Sequence, residues 1–442
     1  MKLGFTCLLL VPVLSSGPVR AQSGANADKR QMLWAPSGVA DAVHEELRWL
    51  RLGGELRTRF EAPTASGLKP GFNDQYLLTR FRLRAGVQVQ PWFRIVGEMQ
   101  DVRGPGYNAP VPATILNRFD LRQAYVEAGD AEGPGFAIRL GRQSLKYGKG
   151  RLVADPDWGN EGQTFDAIRA TYSAGSVKLD AFAASPVVPQ DGLYDRSYKQ
   201  NMLYGLYGSV SRFGDALRIE PYLLLKSNAK VKNELGKFGA LDVYTPGVRL
   251  YGLGYGFDWE AEMALQRGTL ADHKVSAFGG AYVLGYTTGL RAWQSRVSLT
   301  YMYASGDNNP QDRLRNTFDT LYPSTHLRNG ATDRIGWANI HDPALQSEWR
   351  FRRKWKLTGA LHDFYLATLN DALYSKSCSV IVKNAKATSR HVGYEPSLLV
   401  DYQLSRETSI GAGFAYLAQG EFLRQSHLGG ASQPYLYVDH KF

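Results

Sequence analysis

From Gly53 onward the chain alternates apolar and polar residues with a period of two, the spacing at which successive side chains of a strand point to opposite faces. In LLTRFRLRAGVQVQ at 77–90, Phe81, Leu83, Ala85, Val87 and Val89 form one row, and Arg80, Arg82, Arg84, Gln88 and Gln90 form the other. The preceding GELRTRFEA repeats the scheme, setting Leu56, Thr58 and Phe60 opposite Glu55, Arg57, Arg59 and Glu61. Similar segments follow to the end of the chain, among them WFRIVGEMQ, LRQAYVEAG, VKLDAFAAS, WEAEMALQRG, TSIGAGFAYLAQ and YLYVDHKF, with little of helical period between them. FGDA at 213–216 and LSRET at 404–408 suit tight turns, whereas long connections are expected at 101–118, 186–200, 226–243, 305–343 and 420–433. Alternating segments of about ten residues with short turns on one side and long loops on the other predict an all-β fold, a transmembrane antiparallel β-barrel with short periplasmic turns and longer extracellular loops. The bilayer accepts that fold because closure pairs every backbone N–H and C=O.

In such a barrel the apolar rows face lipid and the arginine rows face the lumen, where Arg94, Glu98, Gln100 and Glu127 are expected to join them. Two roles for the arginines stay open from the residues alone. Paired with lumen carboxylates they stiffen the wall; arrayed along a pore they attract an anionic solute, since planar guanidinium groups bind carboxylates bidentately.

The N-terminus, MKLGFTCLLLVPVLSSGPVRAQ, has Lys2, an apolar run from Leu3 to Leu14 and the small-residue pattern Val19-Arg20-Ala21, which predicts a secretory signal peptide at 1–21. A polar lead at 22–50 and a barrel domain at 51–442 follow. No later stretch is long and apolar enough for a membrane helix. Cys7 leaves with the signal peptide and is no lipoprotein cysteine, so Cys378 stands alone and a disulfide scaffold is excluded. Losing Lys2 and Arg20 lowers the formal charge from +11 to +9. In an exported protein this excess points to an anionic carbohydrate or lipopolysaccharide rather than nucleic acid, because the basic residues are dispersed. The ending, with Tyr435, Leu436, Tyr437, Val438 and the terminal Phe442, matches the aromatic last strand of outer-membrane barrels, although His440 departs from it.

Other motifs carry less. Asp307, Asn309 and Asp312 in GDNNPQD concentrate oxygen ligands, a weak calcium candidate without the distal Glu of an EF-hand, and an Asp/Asn-rich turn accounts for them. Ser324, His326 and Asp333 contain hydrolase residue types without a nucleophile-elbow motif. No catalytic residue and no cofactor are therefore expected. Gly252-Leu253-Gly254-Tyr255-Gly256 is expected to bend a strand, not to hold a nucleotide. Trp92, Trp293, Trp349, Trp355, Tyr301 and Tyr303 suit an aromatic girdle better than a sugar-stacking track.

Residues 139–169, RLGRQSLKYGKGRLVADPDWGNEGQTFDAIR, resemble the alginate-export family of outer-membrane proteins, as do YASGDNNPQDRLRNTFDTLYPSTHLRNG at 303–330 and YEPSLLVDYQLSRETSIGAGFAYLAQGEFL at 394–423. The resemblance implies a monomeric barrel of about eighteen strands through which an anionic exopolysaccharide such as alginate leaves the cell by passive, charge-assisted diffusion, fed by periplasmic export components. It also implies an arginine-rich constriction, with Arg122 and Arg142 in it and Arg151, Asp155, Asp157 and Arg169 nearby. Strict alternation sets Arg142 with Ile138 and Leu140, and Arg122 with Ala124 and Val126, on the lipid side, so a β-bulge or an inward fold at the rim is needed to bring them into the lumen. A general anion-preferring porin for small solutes is the alternative, and an outer-membrane hydrolase a distant third.

Overall fold

The computed structural model describes residues 47–108, 110–290 and 292–442; the expected signal peptide at 1–21 and most of the lead at 22–50 lie outside the described residues. Among these residues, eighteen long antiparallel strands, each hydrogen-bonded to its neighbours in the chain, close into a barrel. The first seven are β1 (Leu50–Glu61), β2 (Tyr76–Gln90), β3 (Phe93–Arg103), β4 (Asn117–Ala128), β5 (Gly135–Gln143), β6 (Phe165–Ala174) and β7 (Val177–Val188). The last, Ala431–Lys441, returns to β1 in a register from Glu55↔Lys441 to Glu61↔Tyr435 and shuts the sheet. At that seam the Gly54 N–H donates to the Phe442 carbonyl at 2.7 Å. The Phe442 ring lies where a Cβ on Gly54 would be, 2.4 Å from that position, so the terminal aromatic requires glycine opposite it.

Burial follows the predicted parity. Phe81 and Leu83 are each 41% exposed on the outer surface, whereas Arg80 and Arg82, which alternate with them, are 1% and 7% exposed. Trp92, Trp293 and Trp355 stand exposed beside the short turns, as an interfacial girdle requires.

Tight connections gather on one rim, including residues 91–92, 175–176, 211–217 and 404–407. The 252–256 stretch does not bend within a strand. It ends the strand Phe238–Gly254 and turns through Tyr255 (φ 54°) and Gly256 (φ 85°) into the next, the positive-φ pair of a two-residue hairpin. On the opposite rim run the long segments 62–75, 104–116, 144–164, 189–200, 305–339, 367–390 and 420–430. The long loop expected at 226–243 is mostly strand, which stops at Lys232 and resumes at Phe238. Segment 367–390 escaped the pattern, because its apolar residues pack inside the barrel instead of alternating across a wall.

The core is made by loops folding inward. Segments 144–164 and 305–339 pair there through Val153↔Tyr322, with the Tyr322 N–H donating to Leu152 O at 2.8 Å and the Ala154 N–H to Tyr322 O at 2.9 Å. Leu145, Phe165, Phe318 and Trp337 are buried around this junction, and the short helix α1 (Glu421–Gln425) adds Phe422 and Leu423. Leu83 sits mid-strand on the lipid face, so Leu83→Arg should cost about 2–4 kcal/mol; urea unfolding of liposome-inserted protein measures the loss, and no loss would mean that this face does not meet hydrocarbon.

Candidate functional site

The β1 and β2 arginines converge on the inward loop at Asp157 to Glu161. Arg57 donates to the carbonyls of Asp157 (2.7 Å) and Gly159 (2.8 Å), and Arg59 to that of Trp158 (2.7 Å). Arg80 binds Glu55 (2.7 Å), the Asp157 carbonyl (2.8 Å) and the Asp157 carboxylate (2.9 Å). Arg82 reaches Gln100 (2.5 Å), the Asp157 carboxylate (3.2 Å) and Glu161 O (3.2 Å). The loop is gripped again by Asn160, whose amide donates to the carbonyls of Thr79, Arg103 and Ile115 at 3.3, 3.2 and 3.0 Å. Trp158 lies 3.9 Å from the Arg59 guanidinium and stacks at 3.9 Å on His326 from the neighbouring long segment. A guanidinium has five donors; here they are divided between wall carboxylates and loop carbonyls, which fixes both.

Arg122 joins this array through a bulge. The β3–β4 register slips between Glu98↔Gln123 and Met99↔Leu121, leaving Arg122 without a partner across the strand. Arg122 and Gln123 are therefore both buried inside, and Arg122 binds Glu98 and Asp155. Arg84 shares Glu98 from the other side, while Glu127 is held between Arg94 and Arg139. Arg57, Arg59, Arg80, Arg82, Arg84 and Arg122 thus face Glu55, Glu61, Glu98, Asp155 and Asp157, six guanidinium groups to five carboxylates. Deeper along the wall Arg169 is bidentate on Asp180 (2.8 and 3.2 Å). Arg151 crosses to Glu260 and to Glu262 (2.7 Å), and Arg249 ties Glu220 (2.7 Å) to Glu260 (3.1 Å). Glu260 and Glu262 were readable as inward positions in WEAEMALQRG, but nothing in that segment announces Arg151, a hundred residues earlier, as their partner.

Arg142 is a correction. The β5–β6 register runs without a slip from Gly135↔Ser173 to Gln143↔Phe165, so Arg142 keeps the outer parity of Leu140. At the loop rim it binds Asp166 (2.8 and 3.3 Å) and Asp195 O (2.9 Å), away from the lumen array. The residues of the weak calcium candidate lie in local turns. Asp307 accepts from the Asn309 N–H, Asn309 from that of Gln311, and Asp312 from that of Leu314, which are local Asx turns. In the hydrolase constellation His326 faces Asp333 at 3.2 Å, with its ring covered by Trp158.

A carboxylate cluster unseen in the sequence stands at the loop rim, where Asp120 (β4), Glu161 and Asp195 each offer an oxygen within 4.8 Å of the others. Burial, and then Asp195, push Glu161 up to about 8.

The family model described as "Alginate export" matches residues 48–438. No protein of curated function matches the chain. Among solved structures, OccK2 (OpdF) of Pseudomonas aeruginosa is similar at 10% identity with a TM-score of 0.61, over 89% of this chain and 97% of that one. Its structure in complex with glucuronate gives 11% identity and 0.59, over 89% and 98%. OccAB1 of Acinetobacter baumannii gives 11% and 0.58, over 89% and 96%. At such identities the likeness is one of fold.

Outside the membrane-spanning strands, Glu234 is pushed up to about 8 by burial and by the Asp307 carboxylate against it. The folded barrel therefore keeps a proton that the unfolded chain releases near 4.5, so this group makes stability fall as pH rises between those values. Glu234→Gln should flatten that decline in unfolding experiments from about pH 5 to pH 8; an unchanged slope would assign it to other groups.

Proposed function

Because this chain belongs to the alginate export family, whose members are outer-membrane β-barrel channels, we propose that it conducts an anionic exopolysaccharide of the alginate type outward by passive, charge-assisted diffusion. The observation that carries this reading is the buried arginine array around Asp157 to Glu161. A polyuronate presents one carboxylate per sugar, and it moves only if each cationic contact is weak enough to leave. Guanidinium groups already sharing carboxylates and carbonyls meet that condition. Their field attracts, while most of their donors are engaged. Arg84 and Arg94, with side chains 32% and 26% exposed, are the array members best placed to touch a passing carboxylate.

The short-turn rim, periplasmic in outer-membrane barrels, adds exposed Arg212, Arg352, Arg353, Lys354 and Arg406. These would gather a polyanion delivered by periplasmic export components. The protein acts here as a monomeric conduit among outer-membrane lipid and lipopolysaccharide, not as an enzyme, and uses no cofactor. A porin for small uronates is the second reading, favoured by the glucuronate held in the similar OccK2 structure.

Planar-bilayer recordings separate the two. Under a salt gradient the reversal potential should report anion preference, and polyuronate added to the short-turn side should block the current at concentrations where monomeric glucuronate does not. Arg84→Ser with Arg94→Ser, which leaves the loop-holding Arg57, Arg80 and Arg82 in place, should reduce both preference and block. Block by monomer and polymer alike would favour the small-solute porin, and an absence of anion preference would defeat both readings.

A further inference from the structure

We infer that Asp120, Glu161 and Asp195, beside the amide of Asn117, form a binding site for a calcium-type divalent cation on the long-loop rim. The three carboxylates come from β4, from the inward loop and from the 189–200 segment, and they are 3%, 7% and 5% exposed. Each offers an oxygen within 4.8 Å of the other two. A cation with oxygen ligands at about 2.4 Å spans separations up to about 4.8 Å, whereas magnesium at about 2.1 Å demands a tighter set. The donors are all hard oxygens, which suits calcium and not a thiolate- or imidazole-seeking metal.

A second observation points to a ligand. The buried Glu161 Oε2 and the buried Asn117 Oδ1 accept no hydrogen bond, although buried polar atoms nearly always find a partner. The existing bonds hold the frame together and leave those oxygens over. Asn117 Nδ2 donates to Asp195 Oδ2 at 2.9 Å, the Gln190 N–H to Asp195 Oδ1 at 2.7 Å, and the Asp195 N–H to Asp120 Oδ1 at 3.3 Å. The nearest arginine on the outer side, Arg142, stays 3.9 Å from Asp120 and spends its fork on Asp166. Arg82 and Arg122 also lie near Glu161, but their forks are spent on Asp157, Glu98 and Asp155.

The site bears on the channel through Glu161. Its side chain belongs to the cluster, and its main-chain carbonyl accepts from Arg82 (3.2 Å) and Gln100 (3.1 Å). A cation bound there pins the inward loop to β4 and to the 189–200 segment, at the point where the loop also receives the arginine row.

The test uses full-length protein refolded without lipopolysaccharide, titrated with calcium chloride alone by calorimetry and thermal unfolding, with Glu161→Gln and Asp195→Asn alongside. Wild type should bind with a dissociation constant on the order of 10⁻⁴–10⁻³ M, as extracellular calcium modules do, and its unfolding temperature should rise with calcium. Each variant should weaken binding at least about tenfold and lose the thermal shift. Because each variant replaces a carboxyl by an amide of the same shape, both should fold in chelator, which circular dichroism and the chelated unfolding temperature check. In single-channel recordings chelator should increase current fluctuation in wild type and leave Glu161→Gln unaffected. No calcium binding by wild type, or equal binding by wild type and both variants, would overturn the site; equal affinity for magnesium would overturn its calcium character.

Discussion

Everything inside this barrel depends on one kind of interaction, the hydrogen bonding of wall guanidinium groups to main-chain carbonyls of the inward loop. Arg80 shows why. It is 1% exposed, and its donors reach a wall carboxylate, a loop carboxylate and two loop carbonyls. A hydrogen bond to a charged group is worth about 1.5–3 kcal/mol, and stripping the partner from a buried ion costs about 3–5 kcal/mol. The loop therefore cannot leave without exposing a row of unpaired cations, and the cations cannot be removed without freeing the loop. Wall stiffness and a cationic lining, alternatives when the residues are considered singly, are here one arrangement.

Other contacts bring the loop to that position. The paired segment around Val153 and Tyr322 ties it to the longest connection of the barrel, and Trp158 lies against Arg59, His326 and Tyr435. Asn160 binds main-chain carbonyls of β2, β3 and the 104–116 connection at once. The bilayer supplies the outer constraint, since a closed sheet leaves no backbone edge to pair with. Irregular backbone at this depth is tolerated only because protein groups inside the lumen satisfy it.

The charge distribution has a physical logic. Around the inward loop each wall arginine has carboxylates or carbonyls close by, so the field is broken into short segments. Exposed basic residues stand on both rims, among them Arg352, Arg353 and Lys354 on the short-turn side and Lys237, Lys376 and Lys386 on the long-loop side.

The period-two pattern by itself determined the barrel, the facing of the β1 and β2 arginines, the girdle tryptophans and the turns at 213–216 and 404–407, because alternation across a lipid-facing wall is a local property of each strand. Family likeness added the strand number and the importance of residues 139–169. Tertiary structure alone decided the rest. Arg122 turns inward because β4 carries a bulge relative to β3, and Arg142 stays outside because β5 and β6 carry none; a one-residue slip in pairing is invisible in either strand alone. The partners of Arg151, and the meeting of Asp120, Glu161 and Asp195, depend on loops folding across the lumen over separations of tens to a hundred residues. Such contacts leave no periodic trace, since what selects them is the need to satisfy buried charge wherever the closed wall happens to place it.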